Sequence, residues 1–227
     1  MMKPMVVTVD GPAGAGKSTV AKLLAKRLGL GFMDTGAMYR ALTVKALRRK
    51  LDLKDEAALI KLAHETQVDL VDEPGQPLKV LLDGEDVSEA IRTQDVTNNT
   101  YFIARTPGVR EVMLHWQRQM GEKRSMVGDG RDLGTVVFPN AAHKFYLDAD
   151  FKVRCQRRID ELKAKGQAVD EVALARDLAE RDQHDLTRKV APLKKADDAI
   201  LVDSTGMSVE EVVDLMAKHI SSKRGNK

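Results

Sequence analysis

The chain is poor in cysteine, in aromatic side chains and in long apolar stretches. Its single cysteine, Cys155, excludes an intramolecular disulfide and argues against a cysteine-based zinc site. No apolar run approaches the ~18 residues that a membrane-spanning helix needs. Lys3 and Pro4 are followed at once by the first predicted strand, which leaves no room for a signal peptide. We therefore expect a cytoplasmic protein without a membrane partner.

The balance of charge narrows the possible partners further. The net charge is +3 at pH 7 and 31% of the residues are charged, so both signs are well mixed. This balance gives no reason to expect a nucleic-acid partner. The 227 residues are enough to bury a core, as one domain or as two small ones.

The most informative segment that is present is a glycine-rich stretch, in which Gly11-x4-Gly16-Lys17-Ser18 matches the phosphate-binding P-loop. A β-branched run at 6–9 leads into it as a strand, and helical apolar spacing at 20–28 leads out. Backbone N–H groups of such a loop point at phosphate oxygens, Lys17 reaches the β- and γ-phosphates, and the Ser18 hydroxyl ligates Mg²⁺. The alternative is a turn without a ligand. The predicted ATP-binding residues of this loop are Gly11, Pro12, Ala13, Gly14, Ala15, Gly16, Lys17, Ser18 and Thr19.

Strand and helix patterns alternate along most of the chain, which predicts a parallel sheet covered by helices. Further strand patterns lie at 31–33, 125–129, 144–147 and 199–202, and further helical patterns at 36–50, 55–65, 107–123, 150–164, 170–187 and from Ser208 onward. The spacing of apolar residues changes from helical to strand-like at 68–71 and 78–82. These two short strands flank a turn at 73–77 and indicate a β-hairpin. An antiparallel hairpin in an otherwise parallel α/β chain indicates an insertion, which we place at 63–95.

Two arginine-bearing segments follow strand patterns directly. In the first, Tyr39 and Arg40 lie near the start of a helix; the alternative is a helix cap by Asp34 or Thr35 beside an ordinary surface arginine. In the second, Arg131 and Asp132 come after a strand, at the edge of the sheet where α/β proteins bind ligands. The alternative is a structural turn with an Arg–Asp pair.

A third segment places Arg181, Asp185 and Arg188 at i, i+4 and i+7, so that they share one face of a predicted helix. The alternative is a solvated face with ion pairs. The chain has no Asn-Lys-x-Asp motif of the kind with which GTPases read their base. A short chain with one P-loop and several arginines fits a kinase whose acceptor is phosphorylated, because that acceptor needs its own cationic clamp.

Together, the segments 11–19, 33–40, 129–139 and 180–193 resemble the bacterial cytidylate kinase family, and the resemblance runs from Met5 to about Ala217. It implies transfer of the γ-phosphoryl group of ATP to CMP or dCMP. It also implies an α/β P-loop three-layer fold with about five parallel strands. The core would comprise 1–62, 96–154 and 188–227, with an acceptor-binding insert at 63–95 that contains the hairpin and a helical lid at 155–187.

The same resemblance implies roles for individual residues. Arg40, Arg131 and Arg188 would hold the acceptor phosphate. Arg110 and Asp132 would read the cytosine edge. Arg181 and Asp185 would contact the ribose, and Thr35 and Tyr39 would line the pocket. Arg154 and Arg158 would contact ATP from the base of the lid.

One position departs from the family pattern. Nine residues before Arg110, some relatives have a serine that helps to bind the base, whereas this chain has Tyr101. The Tyr101 hydroxyl could reach the same base atom, or its ring could stack, and we include Tyr101 among the CMP-binding residues. The predicted catalytic residues are Lys17, Arg131 and Arg188, because phosphoryl transfer depends on cations and positioning more than on a general base.

Two other functional classes stay open at this point. One is a different P-loop small-molecule kinase, acting on another nucleoside monophosphate or on shikimate. The other is a non-enzymatic, nucleotide-dependent interaction protein, which would need its arginines in an outward basic stripe. The expected small-molecule partners of the chain are ATP and CMP or dCMP. The chain is also expected to act as a monomer.

Overall fold

The structure, a computed structural model, describes residues 4–73, 76–164 and 166–224. The described residues fall into two compact units. Those within Met1–Phe32 and Ser125–Lys227 form the first unit, and those within Met33–Arg124 form the second. Pro74 and Gly75, in the turn of the predicted hairpin, lie outside the described residues.

Strands and helices alternate as the sequence indicates. The strands are β1 (Val6–Asp10), β2 (Gly31–Asp34), β3 (Val68–Val71), β4 (Lys79–Leu82), β5 (Glu85–Asp86), β6 (Met126–Gly130), β7 (His143–Asp148) and β8 (Ile200–Asp203). The helices are α1 (Lys17–Leu28), α2 (Thr35–Arg48), α3 (Glu56–His64), α4 (Gln94–Arg105), α5 (Pro107–Lys123), α6 (Phe151–Ala164), α7 (Glu171–Thr187) and α8 (Val209–Arg224). A 3₁₀ turn (Ala90–Arg92) precedes α4, and a π-helical turn (Leu133–Val137) follows β6.

The predicted sheet of five parallel strands is confirmed, in the order β2-β6-β1-β7-β8. Strand β1 is central and every one of its residues is buried, which explains its β-branched composition without polar alternation. Its last residue, Asp10, is in register with Gly130 of β6 and with Tyr146 of β7. The carboxyl ends of these three strands therefore lie side by side, which is where the site residues of the first unit emerge.

The second unit has its own apolar core. Helix α2 packs against α4, α3 and strands β3 and β4. The fully buried side chains of this core include those of Met38, Leu42, Leu59, Ile103 and Met113. The predicted hairpin is confirmed as the antiparallel pair β3–β4.

Several elements were not predicted. The short strand β5 extends the hairpin to three strands. Helix α4 was missed because its sequence is rich in Asn and Thr, which are weak helix formers. Its signal was the cap Thr93, whose side chain accepts a hydrogen bond from the Val96 amide, and the buried pair Val96 and Ile103 seven residues apart.

The domain division stays a prediction. The proposed insert at 63–95 and lid at 155–187 are defined by how parts of the chain respond to ligands, whereas the two units are defined by how the chain packs. The insert lies wholly within the second unit, and the lid lies wholly within the first.

Candidate active site

The phosphate loop leaves β1 and enters α1 through glycines that no other residue could replace without strain. Gly16 has a φ of 85° and is the residue at which α1 is capped. Gly11 has a φ of 152°, and a Cβ atom there would lie 2.0 Å from the carbonyl oxygen of Leu147. Close approach of the loop to β7 therefore requires glycine at position 11.

Lys17 is the first residue of α1 and is buried. Its Nζ donates to the carbonyl oxygen of Pro12 at 2.6 Å, which folds the side chain back over the loop. Burial, together with the nearby Arg131 charge, lowers the pKa of Lys17 well below its usual value. The side chain predicted to reach phosphates is thus aligned along the loop that would hold them.

Ser18 follows on the same helix turn and meets a carboxylate. Its hydroxyl donates to Asp129 Oδ2 at 2.5 Å, and Asp129 is a buried residue of β6. A hydroxyl and a carboxylate are the hard oxygen donors that Mg²⁺ prefers, directly or through water. The pair fits a magnesium site. Sequence reasoning missed Asp129, although its position at the carboxyl end of a predicted strand was the available signal.

Asp10, at the end of β1, also received no role from the sequence. Its two carboxylate oxygens accept from the backbone amides of Leu133 at 2.9 Å and Gly134 at 2.7 Å. Burial raises the pKa of Asp10 to about 6, although these backbone hydrogen bonds act in the opposite direction. Asp10 thereby anchors the π-helical turn after β6 to the strand that leads into the phosphate loop.

Two site residues on the segment after β6 pair with the end of α7. Arg131 Nε donates to Asp185 Oδ2 at 2.7 Å, and Arg188 Nη2 donates to Asp132 Oδ1 at 3.2 Å. All four side chains are less than one-fifth exposed. The structure therefore brings together Arg131, Asp132, Asp185 and Arg188, which the sequence could only place on separate segments.

In the pair of Arg131 and Asp185, the charge of each group shifts the pKa of the other. Burial alone would raise the pKa of Asp185, but the Arg131 charge and hydrogen bond outweigh it, so the pKa is lowered. Burial would likewise lower the pKa of Arg131, and Asp185 reverses this and raises it. Both groups are held in their charged forms.

One detail of the sequence prediction is wrong. Arg188 was expected on the same helix face as Arg181 and Asp185, but α7 ends at Thr187 and Arg188 has extended backbone angles (φ −60°, ψ 140°). Its side chain still reaches Asp185, at 4.0 Å between Nη1 and Oδ1. Arg181 lies on the exposed part of α7.

The two arginines predicted to contact ATP from α6 differ in position. Arg154 is buried, and its Nη1 donates to the Ala13 carbonyl of the phosphate loop at 2.9 Å and to Asp182 Oδ2 at 2.5 Å. Arg158 instead pairs with Glu161, at 2.5 Å. Arg157 was not predicted, yet its guanidinium lies within 3.5 Å of the Ala15 carbonyl.

In the second unit, the Asp34 carboxylate caps α2 by accepting from the Ala37 amide at 2.7 Å. Arg40 Nη2 donates to the same carboxylate at 3.2 Å, so the cap and the arginine belong to one arrangement rather than being alternatives. Arg110 is buried with its guanidinium 5.6 Å from the centre of the Tyr39 ring.

Two further predicted residues of this unit differ in exposure. Thr35, the first residue of α2, is buried. Tyr101 is 37% exposed, and the Arg105 guanidinium lies 5.2 Å from its ring centre.

The five-stranded parallel sheet and the glycine-rich loop define a P-loop α/β protein. Solved structures with the same fold include an uncharacterised protein from Eubacterium ventriosum (TM-score 0.55, 14% identity, 97% of this chain and 99% of that chain covered). A gluconokinase from Sinorhizobium meliloti has a TM-score of 0.51 at 14% identity, with 100% and 97% of the two chains covered. At such low identity these structures establish the fold alone.

Sequence comparison gives the family. The family model described as cytidylate kinase matches residues 7–222. A cytidylate kinase from Desulforamulus reducens is 50% identical over 94% of this chain and 96% of its own length. A cytidylate kinase from Bacillus licheniformis is 45% identical over 98% of this chain and 99% of its own length. The chain belongs to the cytidylate kinase family, and it is therefore an enzyme of the nucleoside monophosphate kinase class.

Family membership confirms the predicted enzyme class and favours cytidylate kinase over the other kinases considered. No helix in the described part of the chain has both the length and the apolar character needed to span a bilayer. The expected cytoplasmic location and monomeric state stay predictions.

Proposed function

We propose that this chain transfers the γ-phosphoryl group of ATP to CMP or dCMP and releases ADP with CDP or dCDP. The observation that carries the proposal is the arrangement of the first unit. There, a complete phosphate loop lies beside a cluster of charged side chains at the carboxyl ends of adjoining strands, namely Arg131, Asp132, Asp185 and Arg188. A donor triphosphate and a phosphorylated acceptor both need such cationic and backbone donors.

At the donor end, the loop amides and Lys17 would hold the β- and γ-phosphates. The buried Lys17 ammonium is close to the loop backbone and would stabilise charge on the transferring group. Ser18 and Asp129 would hold Mg²⁺, whose contribution when bound is to neutralise phosphate charge.

At the acceptor end, Arg131 and Arg188 would hold the phosphate of CMP. In the structure each is paired with a carboxylate, so an incoming phosphate would replace one anionic partner by another. Asp132 would accept from the cytosine amino group, which uracil lacks. Arg181 and Asp185 would meet the ribose. In the second unit we propose CMP contacts for Thr35, Tyr39, Arg40, Tyr101 and Arg110.

No strong general base is needed, because the attacking phosphate oxygen of the acceptor is already ionised near neutral pH. Catalysis then depends on in-line positioning and on cations around the transferring group. Lys17, Arg131 and Arg188 supply those cations. Residues 155–187 would act as a lid that excludes water, and 63–95 as the acceptor-binding insert.

The test is a coupled assay of ADP release with CMP, dCMP, UMP, AMP and shikimate as acceptors. We expect the largest kcat/KM with CMP or dCMP and no turnover with shikimate, which has no amino group for Asp132. The Lys17→Ala protein, purified in parallel, controls for contaminating kinases. A preference for AMP, or ADP release that no acceptor stimulates, would contradict the proposal.

A further inference from the structure

Both backbone polar groups of Ala13, in the middle of the phosphate loop, are bound by charged side chains from α6 and α7. The Ala13 amide donates to Asp182 Oδ1 at 3.2 Å, and the Ala13 carbonyl accepts from Arg154 Nη1 at 2.9 Å. The two side chains are themselves paired, at 2.5 Å between Arg154 Nη1 and Asp182 Oδ2. The three residues therefore form a closed set of hydrogen bonds on the loop.

This set of hydrogen bonds is well enclosed. The side chains of Arg154 and Asp182 are 9% and 14% exposed. Beside them, an apolar cluster of Ala13, Cys155, Leu178, Phe151 and Ala175 packs the loop against α6 and α7. A charged contact that is largely shielded from water is stronger than the same contact on the surface.

The contact places a carboxylate where the proposed function requires phosphate. Amides of a P-loop are the donors for phosphate oxygens, and an amide that donates to Asp182 is not available to ATP. Asp182 also neutralises Arg154, a cation next to the loop. A triphosphate bound to the loop and the Asp182 carboxylate are both anions and would repel each other.

We propose that Asp182 is an internal competitor of the ATP phosphates: it binds the Ala13 amide and Arg154 in their place and must be displaced for ATP to bind. The apparent affinity for ATP is then lower than the intrinsic affinity by the fraction of molecules in which the loop is free of Asp182. This inference rests on the proposed ATP site.

The main alternative is that Asp182 merely positions Arg154 for ATP. The two roles predict opposite signs. Removing a positioning residue weakens ATP binding, whereas removing a competitor strengthens it. Arg154 keeps other partners in either case, because it also donates from Nε to the Ala149 carbonyl at 3.1 Å and lies 5.2 Å from the Phe151 ring centre.

The experiment measures binding of a non-hydrolysable ATP analogue with Mg²⁺ by calorimetry, using the full chain and no CMP. We expect Asp182→Ala to lower the dissociation constant about 10-fold, the change that follows if the Asp182 contact occupies about nine molecules in ten. Asp182→Asn can still accept from the Ala13 amide but has no charge, so its affinity should lie between wild type and Asp182→Ala. The matched control is Asp177→Ala, which removes one carboxylate from an exposed position on the same helix.

The competitor role is overturned if Asp182→Ala binds the analogue as weakly as wild type or more weakly. It is equally overturned if Asp177→Ala tightens binding as much, since the effect would then come from net charge alone. Circular dichroism identifies any misfolded variant, and Asp182→Asn, which keeps the side-chain shape, carries the test if the alanine variant does not fold. A wild-type chain that binds the analogue but shows no CMP-dependent ADP release would refute the proposed function and leave this comparison intact.

Discussion

The phosphate loop and helix α7 lie in the same unit but are held by different forces. The loop takes its shape from backbone features: left-handed glycines, a central buried strand before it and a helix after it. Helix α7 is held beside it by side-chain contacts. These are the apolar cluster around Leu178 and three charged contacts, with Asp182 on the loop, Asp185 on Arg131 and the adjoining Arg188 on Asp132.

This difference indicates which part of the site is built to move. The backbone of the loop is fixed before phosphate binds, by its left-handed glycines and by the close approach of Gly11 to β7. Ion pairs to Arg131 and Arg188, in contrast, can be exchanged for phosphate contacts at little net cost, because one anion replaces another. We infer that the loop is preorganised and that α7 adjusts to the substrates.

The strongest test of the loop is Lys17→Ala. Turnover should fall by about 10²-fold or more, because one preorganised cation at the transferring group is lost. The control Lys22→Ala removes a lysine from an exposed position of the same helix and should keep the wild-type rate. A folded Lys17→Ala enzyme with more than half of the wild-type turnover would remove Lys17 from catalysis.

The test of base recognition is Asp132→Ala, at the residue that pairs with Arg188 just after α7. A single good base contact corresponds to roughly 1–3 kcal/mol, or about 5- to 150-fold, so kcat/KM for CMP should fall by about that factor while UMP changes much less. In the structure Asp132 accepts from Arg188, which gives it a second possible role. Equal losses for CMP and UMP would mean that Asp132 only positions Arg188.

The test of loop shape is Gly11→Ala, which forces a Cβ atom against the Leu147 carbonyl at a φ that favours glycine. The free energy of unfolding should fall by about 1–3 kcal/mol, measured in urea. Gly206→Ala is the matched control, because a Cβ there meets nothing within 4 Å. Two equally stable variants would argue against close packing of the loop on β7.

The smallest effect is expected in hydrogen exchange, which compares the mobility of α7 with that of α1, the helix that follows the phosphate loop. With CMP and a non-hydrolysable ATP analogue each at about twice its dissociation constant, amides of α7 should exchange about 10-fold more slowly, since both ligands suppress the openings. Amides in the middle of α1 should change less. Equal protection of α7 with and without ligands would contradict an adjustable helix.

The loop was predictable from sequence because its information is local. A glycine requirement, a strand and a helix follow one another within about twenty residues, and each acts on its neighbours. The same holds for the β3–β4 hairpin and the Asp34 cap of α2. Helix α4 was not predictable from propensity, because burial of Val96 and Ile103 outweighs the weak helix formers around them.

The side-chain partners in the site depend on residues far apart in the chain. Position 10 pairs with 133 and 134, position 13 with 154 and 182, and position 131 with 185. Spacing along one helix suggested a shared face for Arg181, Asp185 and Arg188, although the helical pattern predicted at 170–187 already ends before Arg188, as α7 does.

The sequence by itself determined the class of chemistry, the nucleotide-binding loop and the α/β order, because these are written in short motifs and in local periodicity. Only the tertiary structure decided which carboxylate faces which arginine and that Asp182 lies on the Ala13 amide. Those pairings arise where the carboxyl ends of β1 and β6 meet in register and α7 packs beside them. Such contacts depend on distance in space, on which the local sequence carries no information.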